Sequence, residues 1–304
     1  MKKILIFQLR PGIGDMCIFL SSIYEISKKH KGSEIHLITK KRTKAKNFLK
    51  DEKYIKNIIY IEEIRSKFKS SFISLFFFLK NYKFSEAFIM HYGVKYFLIC
   101  KFLGIKKIFS YGFIKKNENI TMKIFEQTNK WLNINSYNNS SMLSFNGQFI
   151  QGEKILIGIG SSGESRKWDT ENFVSLCNNI NDIKKFKFIL LGGPQEKKQS
   201  EEILSRLKSL DIMSLCQYEV YETFKYIKNS LFYIGTDSAF MHLSAALNVR
   251  TFALYGDTPV NYSEYSKNII PIMPEGFENI THGSNAMHLI KPDHVFSKIY
   301  KYII

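Results

Sequence analysis

The sequence is poor in cysteine and in acidic residues. Its four cysteines, Cys17, Cys100, Cys177 and Cys216, are far apart and form no Cys-x-x-Cys pair. This spacing argues against a disulfide framework and against a metal site, and it is typical of a cytoplasmic protein. Only 27 acidic residues stand against 44 lysines and arginines, which leaves a formal net charge of +17. Such a charge favours nucleic acid, anionic lipid or a phosphorylated glycan as partner, unless it only reflects a lysine-rich composition.

Long uninterrupted apolar runs are also missing. The first run, Ile4–Phe7, is too short for the core of a signal peptide and predicts a first strand. Residues 72–79 are strongly apolar but too few to span a bilayer, and residues 84–105 are interrupted by Glu86 and Lys101. We expect both segments to be buried elements of a globular protein. A peripheral membrane role stays open, because aromatic residues and lysines are mixed in this half.

Short apolar runs that predict strands alternate with segments of helical spacing along most of the chain. This alternation indicates an α/β protein with parallel sheets covered by helices. The pattern weakens at residues 116–151, where asparagine and serine dominate, so we place a domain boundary there. We predict two Rossmann-like domains, at residues 1–150 and 151–290, with a cleft between them. Residues 291–304 predict a closing helix that could pack back on the first domain.

The first candidate site is the loop Gly12-Ile13-Gly14-Asp15, which follows the first predicted strand and opens the first helix. Ligands bind at such loops in α/β sheets. A dinucleotide site is not indicated, because Cys17 stands where the last glycine of Gly-x-Gly-x-x-Gly belongs, and because no acidic residue closes the second strand. Asp15 is therefore either a helix-capping residue or a general base that accepts a proton from an attacking hydroxyl.

The second candidate site is the segment 158–168, Gly-Ile-Gly-Ser-Ser-Gly-Glu-Ser-Arg-Lys-Trp, which follows the first strand of the second half. Its glycines and its small hydroxyl residues, Ser161 and Ser162, let backbone amides approach an anion. Two adjacent cations, Arg166 and Lys167, could neutralise a departing diphosphate. The alternative interpretation is a polar surface loop covered by a tryptophan.

The third candidate site is the junction Gly235-Thr236-Asp237-Ser238, where an apolar strand meets a helix that begins with Ala239. The first backbone N–H groups of a helix have no partner within the helix and, together with the helix dipole, favour an anion such as a phosphate. The alternative is an ordinary helix with Ser238 as its N-cap. His242 lies one turn into this helix, a position more typical of a packed core histidine than of a catalytic base.

In order and spacing, the three sites resemble those of glycosyltransferase family 9, the heptosyltransferases. The segment from Asp237 through His242-Leu243-Ser244-Ala245-Ala246-Leu247 is the most specific part of the resemblance. The resemblance implies a GT-B fold, no cofactor or metal, and inverting transfer of a heptose from ADP-heptose to a phosphorylated or acidic glycolipid, the lipopolysaccharide core. The implied roles are catalytic base for Asp15, acceptor-side loop for Gly12 and Gly14, donor-phosphate binding for Ser161, Ser162, Arg166, Lys167, Ser238 and Ala239, and contact with the donor sugar or ribose for Asp237 and Glu222.

Two positions depart from the family pattern. The phosphate-binding lysine of the family usually lies two residues before the tryptophan, where this chain has Arg166, with Lys167 one step later. The family's glycine after Asp-Thr/Ser is Ala239 here. Either cation can bind a diphosphate, the arginine bidentately, so the donor is ADP-heptose or a different nucleotide sugar. A basic α/β module that binds nucleic acid without catalysis is a distant alternative, and we do not expect it, because no nucleic-acid-binding motif accompanies the charge.

Overall fold

The computed structural model describes residues 1–65, 71–112, 118, 120–134, 142–161 and 163–304. They form two compact units, unit 1 at Met1–Ser144 and unit 2 at Phe145–Ile304. Each unit contains one parallel sheet covered by helices. The predicted fold class, α/β with two Rossmann-like units, is confirmed.

The five strands of unit 1 form a parallel sheet in the order β3-β2-β1-β4-β5. They are β1 (Lys3–Phe7), β2 (Glu34–Thr39), β3 (Ile55–Tyr60), β4 (Glu86–Ile89) and β5 (Lys107–Ser110). The central strand β1 is an apolar run, and residues Ile4–Phe7 are fully buried because helices cover both faces of the sheet. The chain crosses from one side of β1 to the other between β3 and β4. The carboxyl ends of β1 and β4 are therefore a topological switch point, where such sheets bind ligands.

The helices of unit 1 lie on both faces of its sheet. Their bounds are α1 (Ile13–Lys29), α2 (Ala45–Phe48), α3 (Ile61–Arg65), α4 (Ser71–Lys80), α5 (Val94–Phe102) and α6 (Ile120–Leu132). The helices α1 and α6 pack against each other, and the buried hydroxyls of Ser22, Thr128 and Tyr111 are hydrogen-bonded in a chain there. The helices α3, α4 and α5 cover the other face with apolar side chains such as Leu75 and Leu79.

The two apolar segments of unit 1 are only half-buried. In α4 and α5 the side chains that face the sheet are buried, but the opposite sides of both helices are exposed and still apolar. The exposed side chains are Ile73 and Phe77 of α4 and Val94, Leu98 and Phe102 of α5. The prediction that residues 72–79 and 84–105 are buried elements is therefore wrong for one side of each helix. The physical reason is that a helix on the surface of a sheet buries only the stripe that repeats every 3.6 residues.

The six strands of unit 2 form a parallel sheet in the order β11-β10-β9-β6-β7-β8. They are β6 (Lys154–Gly158), β7 (Lys187–Leu191), β8 (Ile212–Ser214), β9 (Phe232–Thr236), β10 (Arg250–Leu254) and β11 (Ile269–Ile272). The helices of this unit are α7 (Thr170–Ile183), α8 (Lys197–Arg206), α9 (Val220–Ile227), α10 (Ala239–Ala246) and α11 (Pro292–Ile299). The last of these, in the predicted closing segment, packs against α7 and buries Val295 and Ile299 in the core of unit 2. Within the described part of the chain, no helix is both long enough and apolar enough to cross a bilayer.

The two central strands of unit 2 approach each other where neither residue has a side chain. Gly158 of β6 is paired in register with Gly235 of β9. A Cβ atom on Gly235 would overlap the backbone of Gly158, and one on Gly158 would overlap the phenol of Tyr233. Tyr233 is fully buried, and its phenol occupies the space where a side chain on Gly158 would lie. Glycine is therefore required at both positions for packing.

We predict that Gly235→Ala destabilises unit 2 by about 1–3 kcal/mol, because the added methyl group must push two paired strands apart. The free energy of unfolding is measured with urea through the fluorescence of Trp168, in chains that all carry Trp131→Phe. Gly163→Ala is the matched control, since a Cβ atom there meets nothing within 4 Å. Equal stability of the two alanine variants would contradict the prediction.

Candidate functional site

The second and third predicted sites meet at the switch point of unit 2. From β6 the chain continues to β7 on one side of this strand pair, and from β9 it continues to β10 on the other side. The loops at the carboxyl ends of β6 and β9 therefore diverge and leave an opening between them. These ends carry the loop 159–167 and the turn Asp237-Ser238. The hydroxyl of Thr236 donates a hydrogen bond to the backbone carbonyl of Gly160 and holds the two segments together. Residues about 75 positions apart in the sequence thus line one site.

The N-terminus of α10 is shaped to receive an anion. Ser238 occupies the N-cap position, but among the described residues its hydroxyl caps no backbone N–H and lies 3.3 Å from Tyr233 Oη. Ala239 is the first residue of the helix. The backbone N–H groups of the first turn and the helix dipole are therefore directed at the switch point without a side-chain oxygen in the capping position. This arrangement favours the anion-binding interpretation over the ordinary capped helix.

Asp237 lies beside a buried histidine. Its Oδ1 lies 3.8 Å from Nε2 of His242, and Nδ1 of the same ring lies 2.7 Å from Tyr265 Oη. The two rings are stacked, with centroids 5.6 Å apart, and His242 is buried. The imidazole, hydrogen-bonded to Tyr265, therefore lies next to the carboxylate of Asp237. The expectation that His242 is a packed residue agrees with its position, and the additional contact with Asp237 lay beyond the sequence pattern.

The loop between β6 and α7 carries the predicted phosphate-binding residues. The backbone N–H of Gly163 donates to Ser161 Oγ at 3.1 Å, which makes a tight turn. Ser162 lies outside the described residues. Lys167 Nζ forms an ion pair with Glu164 Oε1 at 2.5 Å, and this glutamate side chain is 87% exposed. Such an exposed pair contributes little energy, so an incoming anion can displace the glutamate.

Trp168 anchors this loop in the core and does not cover it. Its ring is buried edge-on against Phe173, and its indole Nε1 donates to the backbone carbonyl of Ile290 at 2.8 Å. The side-chain amide of Gln199 donates to the backbone carbonyl of Trp168 at 3.3 Å. Arg166 and Lys167, which directly precede Trp168 in the chain, are thus held close to a side chain that is fixed in the core. The interpretation of residues 158–168 as a surface loop covered by Trp168 is therefore wrong with respect to the tryptophan.

Asp257, which follows β10, ties the cation-bearing loop to a second loop. Its carboxylate accepts hydrogen bonds from Ser165 Oγ at 2.5 Å and from the backbone N–H groups of Gly283 and Asn285 at 2.8 and 2.9 Å. Burial raises the pKa of Asp257, but these three bonds and the charge of Arg166 outweigh burial and lower it below its usual value. The sequence contained Asp257 directly after a strand and a glycine, but nothing in the pattern pointed to its partners.

Glu196 plays a similar part on the other side of β6. It is buried, and its Oε2 accepts a hydrogen bond from the backbone N–H of Gly193 at 2.7 Å and is also hydrogen-bonded by the backbone N–H of Ser161. Burial raises its pKa, although these N–H groups and the charge of Lys167 act in the opposite direction. Glu196 therefore links the loops that follow β6 and β7. The Gly-Gly-Pro turn before it was the signal that could have drawn attention to this residue.

Glu222 lies in the first turn of α9. This helix follows β8, the outermost strand, and therefore begins at the same end of the sheet as the loops after β6 and β9. Its carboxylate accepts a hydrogen bond from the backbone N–H of Glu219 at 3.1 Å and closes a capping box at the start of the helix. The residue is exposed. Its position is compatible with the predicted contact to a ribose, while the contact observed within the chain is the cap.

In unit 1 the first predicted site lies at the carboxyl end of β1. Gly12 precedes α1 with φ of 104°, a value that favours glycine, and Gly14 and Asp15 lie in the first turn. Asp15 Oδ1 accepts a hydrogen bond from Arg10 Nε at 2.9 Å. Its side chain is 21% exposed. Asp15 is therefore an accessible carboxylate held by an arginine at the switch point, and the N-cap of the helix is Gly12 and not Asp15.

His91 stands at the other side of this switch point, directly beyond β4. Its ring packs against Tyr96 with centroids 5.1 Å apart. Burial lowers the pKa of His91 to about 4, so the imidazole is neutral at pH 7. A neutral imidazole can exchange hydrogen bonds with a hydroxyl but adds no charge to the site. In the sequence this histidine was only a polar interruption of an apolar segment.

Comparison with known proteins agrees with this geometry. A family model described as glycosyltransferase family 9 (heptosyltransferase) matches residues 115–278, which is more than half of the chain. The chain belongs to this family. The match includes the loop 158–168 and the junction 235–239, the two segments that meet at the switch point of unit 2.

Individual relatives support the assignment of the family and the fold. The chain is 30% identical over 165 residues to lipopolysaccharide heptosyltransferase 1 of Campylobacter coli, a match that covers 52% of this chain and 46% of that protein, about half its length. The structure of E. coli ADP-heptose lps heptosyltransferase II is similar with a TM-score of 0.76 at 17% identity, covering 100% of this chain and 98% of that one. E. coli heptosyltransferase WaaC, solved with ADP, gives a TM-score of 0.74 at 14% identity and covers 99% of both chains. These likenesses place this family 9 chain in the GT-B fold class.

We predict that Asp257→Asn destabilises unit 2 by about 1–3 kcal/mol at pH 7, because the amide cannot accept all three hydrogen bonds. The folded pKa of Asp257 lies below the unfolded value of about 4, so its contribution is complete above pH 4 and is lost as the pH falls through the folded pKa. The difference between the wild type and the variant should therefore be constant above pH 4 and shrink as the pH falls below 4. Urea unfolding at several pH values measures it, with Asp211→Asn, a more exposed carboxylate, as control. A difference that is independent of pH, or that is equal in the control, would contradict this role.

Proposed function

We propose that this chain is a glycosyltransferase that transfers a heptose from ADP-heptose to the core of lipopolysaccharide or lipooligosaccharide, with inversion and without a metal. The observation that carries the proposal is the convergence, at one switch point, of an anion-receptive helix start, a carboxylate at Asp237 and a cation-bearing loop in a family 9 chain. The related WaaC has been solved with ADP and with ADP-2-deoxy-2-fluoro heptose. The same ligand class suits the site described here.

In this proposal the donor diphosphate binds to unit 2. The backbone N–H groups at Ser238 and Ala239, together with Ser161, Ser162 and Lys167, donate hydrogen bonds to its oxygens. Asp237, which lies beside His242, accepts hydrogen bonds from hydroxyls of the sugar. Glu222 accepts hydrogen bonds from the ribose. The N–H groups, the serine hydroxyls and Lys167 stabilise the negative charge that develops on the leaving ADP.

The acceptor is proposed to bind to unit 1 at the loop of Gly12 and Gly14. The acceptor hydroxyl oxygen bonds to the anomeric carbon, the bond from that carbon to the phosphate oxygen breaks, and its electron pair leaves with ADP. Asp15 takes the hydroxyl proton as general base. The ion pair with Arg10 keeps the carboxylate in one orientation. Attack from the side opposite the phosphate inverts the anomeric centre.

The charge of the chain fits this substrate class. A net charge of +17 attracts an acceptor that carries phosphates and acidic sugars. Lipid-linked acceptors are presented at a membrane, so we propose a cytoplasmic protein that works at the cytoplasmic face of the inner membrane. The second candidate is the same reaction with another nucleotide sugar, which Arg166 and Ala239 favour because they replace the family's lysine and glycine.

We predict that wild-type protein releases ADP from ADP-heptose only with a truncated core glycolipid, and that the product gains the mass of one heptose. Turnover should persist in EDTA. A panel of other nucleotide sugars tests the second candidate, which is supported if one of them is used better than ADP-heptose. Absence of turnover with every donor would contradict the proposed function.

We further predict that Asp15→Asn lowers kcat by about 100-fold or more, because an amide cannot accept the proton. Affinity for ADP, measured by calorimetry, should be unchanged, since the diphosphate binds to unit 2. Glu25→Gln is the matched control, because Glu25 lies on the same helix and also pairs with a cation, Lys28. Turnover of the Asp15 variant at the wild-type rate would exclude this residue as base.

The two adjacent cations should differ in their roles. The charge of Arg166 acts on Asp257, whereas Lys167 is paired with an exposed and displaceable glutamate. We predict that Lys167→Ala weakens ADP binding about tenfold and AMP binding less, because a charge-assisted hydrogen bond to the second phosphate is lost. Arg166→Ala should weaken ADP binding less than Lys167→Ala does, and Lys198→Ala, an exposed lysine of α8, serves as control. A larger loss of ADP affinity in the Arg166 variant would reverse the assignment.

A further inference from the structure

The exposed sides of α4 and α5 form one apolar surface on unit 1. Val94, Leu98 and Phe102 are four residues apart and share one side of α5, and Ile73 and Phe77 share one side of α4. These five side chains are between 44% and 68% exposed. The two helices pack against each other, and Phe102 meets Phe72 of α4 with ring centroids 6.2 Å apart. Five large apolar side chains on adjacent helices are a patch and not scattered residues, and such patches mark interaction sites.

Along α4, α5 and the segments that follow them, the exposed charge has a single sign. Between residues 71 and 107 the sequence contains six lysines and one acidic residue, Glu86, which is buried in β4. Five of the lysines are exposed: Lys80, Lys83, Lys101, Lys106 and Lys107. Lys101 Nζ lies 5.7 Å from the ring centroid of Phe97, so its stem runs along the aromatic side of α5.

The lysines gather at one end of the surface. Each helix leads from the carboxyl end of one strand to the amino end of the next parallel strand. Both helices therefore run opposite to the strands and end on the side of the sheet where the strands begin. Lys80 and Lys101 lie in the last turns, and Lys83 and Lys106 follow directly. The opposite end of the surface, at Val94, begins at the edge where Asp15 stands. An apolar face with a basic end has the composition of surfaces that lie in a membrane interface.

We infer that the exposed sides of α4 and α5 are the surface by which unit 1 docks on an anionic phospholipid bilayer. Apolar side chains enter the boundary between head groups and acyl chains, and the lysines meet phosphates. A second copy of this chain is a poorer occupant, because like-charged lysines would face each other. The inference deepens the proposed function, since a lipid-linked acceptor would then lie at the membrane beside the edge that carries Asp15.

The test is co-sedimentation of the full chain with vesicles, without donor or acceptor. We expect the wild type to bind vesicles that contain phosphatidylglycerol and to bind pure phosphatidylcholine vesicles at least tenfold less. Phe77→Ser/Phe102→Ser and Lys80→Gln/Lys101→Gln should each reduce the partition coefficient about tenfold or more. The matched controls on unit 2, Ile183→Ser/Leu289→Ser and Lys198→Gln/Lys208→Gln, remove exposed apolar side chains and exposed lysines in the same numbers and should bind like the wild type.

The inference is overturned if the wild type stays in the supernatant, or if the unit 1 variants and their controls partition alike. It is also overturned if the wild type forms a dimer that the Phe77/Phe102 variant dissociates and neither protein binds vesicles. Circular dichroism and ADP affinity equal to the wild type show that each variant is folded. Turnover with a detergent-solubilised acceptor, which requires no bilayer, should be unchanged in all four variants. Vesicle binding without any turnover would refute the proposed function alone, and turnover without vesicle binding would refute the docking surface alone.

Discussion

The close pairing of β6 and β9 is the constraint on which the site of unit 2 depends. Gly158 and Gly235 face each other without side chains, and the phenol of Tyr233 fills the space where a side chain on Gly158 would lie. Because these strands are neighbours that lead the chain in opposite directions, the loops that follow them must border the same opening. The hydrogen bond from Thr236 to Gly160 then fixes the distance between the loops. A small change in the strand pairing would move the candidate donor-binding groups on both of these loops.

Buried acids hold the loops of a site proposed to bind an anion. Asp257 gathers the hydroxyl of Ser165 and two backbone N–H groups, and Glu196 gathers the backbone N–H groups of Gly193 and Ser161. Both carboxylates lie near the cations that a diphosphate would meet. They fix these loops before a ligand arrives, and this preorganisation reduces the conformational entropy that is lost on binding. The groups that stay available to attract an anion are Lys167 and the backbone N–H groups in the first turn of α10.

The two units use the same type of sheet for different chemistry. Unit 2 offers backbone N–H groups and cations at its switch point, which suit a leaving diphosphate. Unit 1 offers the carboxylate of Asp15, held by Arg10, and the neutral imidazole of His91, which suit a hydroxyl. Only unit 1 has a lysine-rich apolar surface on two adjacent helices among the described residues. The difference follows from the side chains at equivalent positions and not from the topology of the sheets.

The sequence by itself determined the alternation of strands and helices and the three loops at strand ends, because apolar period, glycine and helix-start residues are local signals. It did not predict β8 and β11, since a three-residue strand and a strand containing Pro271 form only because an edge is there to pair with. The tertiary structure alone decided which side of α4 and α5 is exposed. Both segments are apolar on nearly all sides, so the spacing of their apolar residues does not show which side packs against the sheet. It also decided the roles of Asp257 and His242: their partners depend on how the sheet brings distant loops together, and Ser165 is 92 residues from Asp257.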